Sequence, residues 1–147
     1  MRLRDFLHRH KQIALDTSIF IYQLENNPRY TELTDHIFTW LERSNHAAVT
    51  STITMAELLV QQYRLADDQQ VDEYYALLST YPNLKWIPPS LLIADTAARI
   101  RAAHGLRTPD AFQAATALGS EATGFVTNDS VFERVSGLEI LVLERLL

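Results

Sequence analysis

The chain has 147 residues, 47% hydrophobic and 21% charged, with four glycines and no cysteine. That length suits one domain, 1–147, and those proportions exclude wholesale disorder; the missing cysteine excludes a disulfide framework, thiolate catalysis and sulfur-bound zinc. A net charge of −5 argues against tight, unselective coating of nucleic acid, which rests on neutralised phosphates, but not against an enzyme whose acids are offset by metal ions.

Residues 1–12 form a short basic N-terminal extension whose Arg2, Arg4, Arg9 and Lys11 could touch RNA, although an amphipathic turn, solvated or docked, is the favoured expectation. No uninterrupted apolar region follows it, so it does not read as a secretory leader. The longest apolar stretch, Ile13 to Leu24, is broken by Asp16, Thr17, Ser18 and Gln23 and is too short and polar to span a bilayer. A cytoplasmic protein with no membrane association is expected.

Hydrophobic periodicity and breakers then predict strands alternating with helices. A strand over Ile13 to Asp16 leads into a helix over Ser18 to Glu25, and a helix over Tyr30 to Arg43 follows the Asn26-Asn27-Pro28 break. A strand at Ala47 to Ser51 precedes helices near Thr54 to Leu65 and Asp68 to Thr80. Leu84 to Ile87 is a strand stopped by Pro88-Pro89, and Leu91 to His104 is a helix closed by Gly105. Thr108, as cap, and Pro109 open a helix ending near Gly119. Gly124 to Thr127 is a strand, Ser130 to Val135 a short helix and Leu138 to Val142 a last strand. Such alternation defines an α/β protein with a mostly parallel sheet covered on both faces.

Four acids fall at one end of this arrangement. Asp16 ends the first strand, Glu57 lies in the first turn after the second, Asp110 opens its helix, and Asp129 follows the Gly124 strand. Ligands of open parallel sheets bind outside the carboxyl ends of the strands. Each acid alone has an ordinary explanation: Asp16 and Asp129 as helix caps, Thr54 to Glu57 as a capping box, Asp110 as a dipole partner. Capping gives no reason for all four to share one edge. Converging carboxylates must take up protons or share a cation, and an all-oxygen set suits Mg²⁺ or Mn²⁺, which can support displacement at phosphorus.

At these residues the chain resembles the PIN-domain nucleases, particularly VapC-like toxins of toxin–antitoxin pairs. The matching stretches are Leu15-Asp-Thr-Ser-Ile-Phe-Ile-Tyr22, Thr52-Ile-Thr-Met-Ala-Glu-Leu-Leu59, the segment Leu106 to Leu118 with its Arg-Thr-Pro-Asp-Ala core, and Phe125-Val-Thr-Asn-Asp-Ser-Val-Phe132. The resemblance implies an α/β/α sandwich and a Mg²⁺- or Mn²⁺-dependent endoribonuclease. It places Asp16, Glu57, Asp110 and Asp129 in the catalytic, metal-holding cluster. It implies an RNA substrate, a cognate antitoxin and a homodimer. Ser18 and Thr127 are expected as supporting polar residues, with helix-start and turn bonding slightly favoured for Thr17 and Asn128. Two departures stand out: the basic extension, and Gln113 where relatives frequently carry histidine.

Arg99, Arg101 and Arg107 are candidate RNA contacts, although Asp95 stands four residues before Arg99 and offers a surface ion pair instead. Leu58, Leu59, Tyr63, Val71, Tyr74, Tyr75 and Leu78 decorate two consecutive helices, mostly as core, yet offer a face for a homodimer or antitoxin helix. The five histidines lack the paired spacing of zinc hydrolases, the glycines make no P-loop, and no Gly-x-Ser-x-Gly elbow exists. Two other readings stay open: a non-catalytic binding module on the same fold, and an RNA-processing nuclease that is not a toxin.

Overall fold

A computed structural model describes residues 2–147. Ahead of the first strand, Leu3, Phe6 and Leu7 recur at helical spacing. Arg2–Arg9 accordingly forms helix α1, with those three side chains buried. The expected turn is therefore a helix docked on the core. A helix of eight residues draws its stability from such burial rather than from intrinsic propensity.

Strands β1 (Gln12–Leu15), β2 (Ala47–Ser51), β3 (Leu84–Ile87), β4 (Gly124–Thr127) and β5 (Glu139–Val142) form one sheet in the order β3-β2-β1-β4-β5. Every pairing is parallel, where a mostly parallel sheet was expected. Between the strands run α2 (Thr17–Leu24), α3 (Thr31–Leu41), α4 (Thr52–Arg64), α5 (Asp68–Ser79), α6 (Leu91–His104) and α7 (Thr108–Gly119). Alternate strand residues enter opposite layers. Ile13, Leu15 and Val126 join Phe6, Ile19, Phe20 and Ile37, whereas Ala14, Val49 and Phe125 join Ile100, Leu106 and the alanines of α7. This is the α/β/α sandwich. Two consecutive connections, from β1 to β2 and β2 to β3, build one side of the sheet, and β4 and β5 build the other. The order reverses between β1 and β4, and the crevice outside their carboxyl ends is where such sheets bind ligands.

Several boundaries differ from expectation. Asp16 is not the last strand residue but the N-cap of α2, accepting from the Thr17 amide. The Thr54 to Glu57 capping box does not form. Helix α4 starts directly after β2, at Thr52, with Ser51 as its cap and Oγ accepting the Ile53 amide at 3.1 Å. With no linker between strand and helix, Thr54 is turned into the interior. Arg107, not Thr108, occupies the N-cap of α7, and Pro109 falls in its first turn. Gly105 closes α6 at φ 70, a conformation that favours glycine. Ser130–Arg134 is a 3₁₀ helix, and a second one over Leu143–Leu146 was not foreseen.

Gly124, at the start of β4, has a different constraint. A Cβ there would lie 2.6 Å from Phe6 Cζ and 3.0 Å from His10 Cδ2. Only a bare backbone lets α1 seat its aromatic side chain on the sheet at this point. Among the described residues no helix is long and apolar enough to cross a membrane.

Candidate active site

The crevice between β1 and β4 is organised by two threonines. Asp16 Oδ1 accepts the Thr17 amide at 2.9 Å, and Oδ2 accepts the Thr127 hydroxyl at 2.7 Å. The same Thr127 oxygen accepts the Asp129 amide at 3.1 Å, and Asp129 Oδ1 accepts the Val131 amide at 2.9 Å. The Asp16 carboxylate and the Asp129 main-chain amide, far apart in sequence, thus share one hydroxyl. Glu57 arrives from α4 and its Oε1 accepts the Thr17 hydroxyl at 2.6 Å. Asp110, in the first turn of α7, lies 3.3 Å from Arg107 Nε through Oδ2.

The electrostatics tie three of these acids together. Burial pushes the Asp16 carboxyl up to about 6, and the negative charges of Asp110 and Glu57 push in the same direction. The Thr127 and Thr17 hydrogen bonds oppose the shift without cancelling it. Among the described residues no group of three or more acidic or histidine side chains already surrounds one metal position. Asp16, Glu57, Asp110 and Asp129 are each held by a protein donor instead.

The donor set nonetheless fits a hard divalent cation. All its candidate donor atoms are carboxylate oxygens, and Asp16 is protonated more readily than an ordinary aspartate chiefly because it is buried, with smaller contributions from the charges of Asp110 and Glu57. Ser18 Oγ, two residues beyond Asp16, is buried with no partner among the described residues, a group that an added water would satisfy.

Behind Glu57 runs a buried polar network that sequence reasoning missed. Gln113 Nε2 lies 2.8 Å from Thr54 Oγ1 and 3.4 Å from Thr17 Oγ1, and Thr50 Oγ1 lies 2.7 Å from Thr54 Oγ1 and 2.9 Å from the Leu15 carbonyl. Each hydroxyl has one proton, so the directions can be assigned. Thr50 must donate to the Leu15 carbonyl, which makes Thr54 the donor to Thr50. Thr17 donates to Glu57 Oε1. The Gln113 amide is then the donor to both Thr54 and Thr17. The signal was present, since Gln113 follows Asp110 by one helical turn, but Thr50 and Thr54 read as strand and cap residues. Thr17 therefore does more than start a helix, contrary to the bonding slightly favoured for it.

Other expected residues fall in varied places. Asn128 is structural, donating to the Tyr22 hydroxyl at 2.9 Å and accepting the Glu144 amide at 2.8 Å. Arg99 pairs with Asp95 at 3.0 Å, both well exposed, as the spacing suggested. Arg101 Nε donates to the Leu106 carbonyl at 2.9 Å and braces the turn between α6 and α7. Arg107 is exposed beside Asp110. On α4 and α5, Leu58, Val71 and Leu78 are core, whereas Tyr63 and Tyr75 stay 62% and 55% exposed beside exposed Val60 and Leu77.

The molecule is thus an all-parallel α/β/α sandwich with Asp16 at its topological switch point. The family model described as PIN domain matches residues 13–138, and the chain belongs to the PIN domain family. Solved structures share the fold. VapBC2 from Rickettsia felis, bound to a DNA fragment from its promoter, aligns with TM-score 0.68 at 19% identity, covering 89% of this chain and 98% of that one. DNA-bound VapBC from Salmonella typhimurium aligns with TM-score 0.69 at 24% identity, over 90% and 98%. VapBC-5 of Mycobacterium tuberculosis, a member of a toxin–antitoxin family, gives TM-score 0.59 at 24% identity, over 90% and 98%. No curated protein sequence matches significantly.

Proposed function

We propose that this PIN domain, residues 1–147, is a Mg²⁺- or Mn²⁺-dependent endoribonuclease acting in the cytoplasm as the toxin of a toxin–antitoxin pair. The observation that carries the reading is the joining of Asp16 and Glu57 through Thr17 at the switch point, its amide on Asp16 and its hydroxyl on Glu57. The toxin role is supported by likeness in fold to VapBC proteins, a family of toxin–antitoxin systems. The exposed aromatic face of α4 and α5 is the proposed seat of an antitoxin helix or a second copy.

Asp16, Glu57, Asp110 and Asp129 would hold the cation. When bound, it supplies charge that lowers the pKa of water and offsets charge gathering on phosphoryl oxygens. Asp16 gives up its proton to serve as a ligand, and the Thr127 hydroxyl and Thr17 amide stabilise the resulting carboxylate. Thr17, itself oriented by Gln113, keeps one Glu57 oxygen occupied and the other free. Arg107 can move from Asp110 to a substrate phosphate, since an exposed pair of this kind costs little to break. Arg99 and Arg101 are weaker candidates for RNA contact, because one is paired with Asp95 and the other braces a turn.

The test is cleavage of RNA with and without Mg²⁺ or Mn²⁺, by wild type beside Asp16→Asn and Asp110→Asn. The expected result is metal-dependent cutting by wild type alone. Equal cutting by the variants overturns the site. No cutting by any form favours a binding module, and cutting without growth arrest on expression favours an RNA-processing enzyme.

A further inference from the structure

A further cleft lies apart from the acidic crevice. It is a groove of about 820 Å³ between α1 and α3, and it holds none of the proposed catalytic acids. Its wall on one side is α1, which lies outside the stretch matched by the PIN family model. One wall of the groove is therefore this chain's own extension, and the other belongs to the family's stretch.

Its chemistry is cationic at one end. Arg4, Lys11 and Arg43 line it, all three exposed, and none has a side-chain hydrogen bond or ion pair among the described residues. Other basic side chains nearby are committed, Arg9 to Glu139 and Arg2 to the Arg145 carbonyl. Two acids also line the groove. Asp35 is engaged by Gln23 Nε2 at 2.6 Å, and Glu32 stands at the opposite end, in the first turn of α3.

A flat aromatic wall adjoins the cations. The His46 imidazole lies on buried Trp40, with ring centroids 4.3 Å apart and planes within 10° of parallel. Its Nδ1 donates to the Trp40 carbonyl at 2.7 Å, which sets the plane of the ring. Mobile cations beside a fixed aromatic plane are the elements with which proteins hold single-stranded nucleic acid, phosphates on the cations and a base on the ring.

The groove also has a direction. Lys11 and His46 stand just before β1 and β2, at the amino edge of the sheet. The Glu32 end is near Arg29, which pairs with Glu144 at 2.6 Å just past the carboxyl end of β5. The eleven residues of α3 between them span about 16 Å. A strand seated at the basic end can thus continue along the molecule toward the edge that bears the acids.

We propose that the α1–α3 groove, through Arg4, Lys11, Arg43 and the His46 ring, binds a single-stranded stretch of the RNA substrate remote from the cleavage site. The substrate class rests on the reading of the protein as a ribonuclease; the binding itself does not need cleavage. The experiment is fluorescence anisotropy of a labelled single-stranded RNA with the full chain bearing Asp16→Asn. Lys11→Glu with Arg43→Glu should weaken binding by more than tenfold and reduce the slope of log K against log salt by about 1.4, close to 0.7 per lost contact to single strands. His46→Ala should weaken binding about tenfold, the size of one base stack. Arg64→Glu, an exposed charge on α4 away from the groove, should change it less than twofold. Binding unaltered by the double substitution, or equally lost in Arg64→Glu, overturns the proposal. If wild type cuts no RNA but the groove variants still lose binding, the nuclease reading fails and the groove stands.

Discussion

Asp16 and Thr127 are joined by a 2.7 Å hydrogen bond from the hydroxyl to the carboxylate, across the point where strand order reverses. That contact stabilises the ionised form, while burial and the charges of Asp110 and Glu57 resist it, and the carboxyl settles at about 6. Because this value lies above the ordinary 3.8, the native state binds a proton more tightly than the unfolded chain. The resulting stability is fully present below pH 4 and is lost as pH rises through 6. Asp16→Asn, which carries no charge, should therefore stabilise the metal-free protein at pH 7 by about 1–3 kcal/mol while removing activity. Urea denaturation at pH 4 and pH 7 checks this, with the two proteins converging at the lower pH. Thr127→Val should move the carboxyl higher still, visible in a carboxyl NMR titration.

Divalent cation and proton compete for Asp16. Mn²⁺ at a hundred times its dissociation constant should raise the stability of wild type by about 2.7 kcal/mol. Binding should weaken roughly tenfold from pH 7 to pH 5, where Asp16 is protonated. Thermal melts with and without Mn²⁺ at both pH values provide the measurement. Asp110→Asn should show a much smaller rise at either pH.

Gln113 feeds the Thr54 and Thr17 hydroxyls from inside the core. Gln113→Leu keeps much of the volume but removes the donor, and should cost about 1–3 kcal/mol in urea unfolding. The Thr17 hydroxyl is then held by Glu57 alone, and cleavage should fall about tenfold through kcat with KM nearly unchanged. Steady-state kinetics on a short RNA separates the two constants.

Gly124→Ala would place a methyl 2.6 Å from Phe6 Cζ. The strand cannot retreat, because β4 is paired on both sides, so α1 must shift. Overpacking of this kind should lower stability by about 1–3 kcal/mol. Phe6→Leu combined with Gly124→Ala should recover part of that loss, and the double-mutant cycle measures the coupling.

By itself the sequence determined the alternation of strands and helices, because periods of two and 3.6 are properties of neighbouring residues. It also determined that Asp16, Glu57, Asp110 and Asp129 follow or open elements facing one edge, since a parallel sheet sends every strand's carboxyl end the same way. The spacing of Leu3, Phe6 and Leu7 was helical too, but the basic residues between them drew the reading toward a solvated or docked turn. Tertiary structure alone decided what each polar group bonds. Thr54 looked like a cap and became a core hydroxyl because Ser51, at the very end of β2, caps α4 first. Gln113 acquired its role only when α7 came against β2 and placed its amide on Thr54 and Thr17. Burial removes water as a partner, so each inward polar atom must find another across space, and chain order does not record that distance.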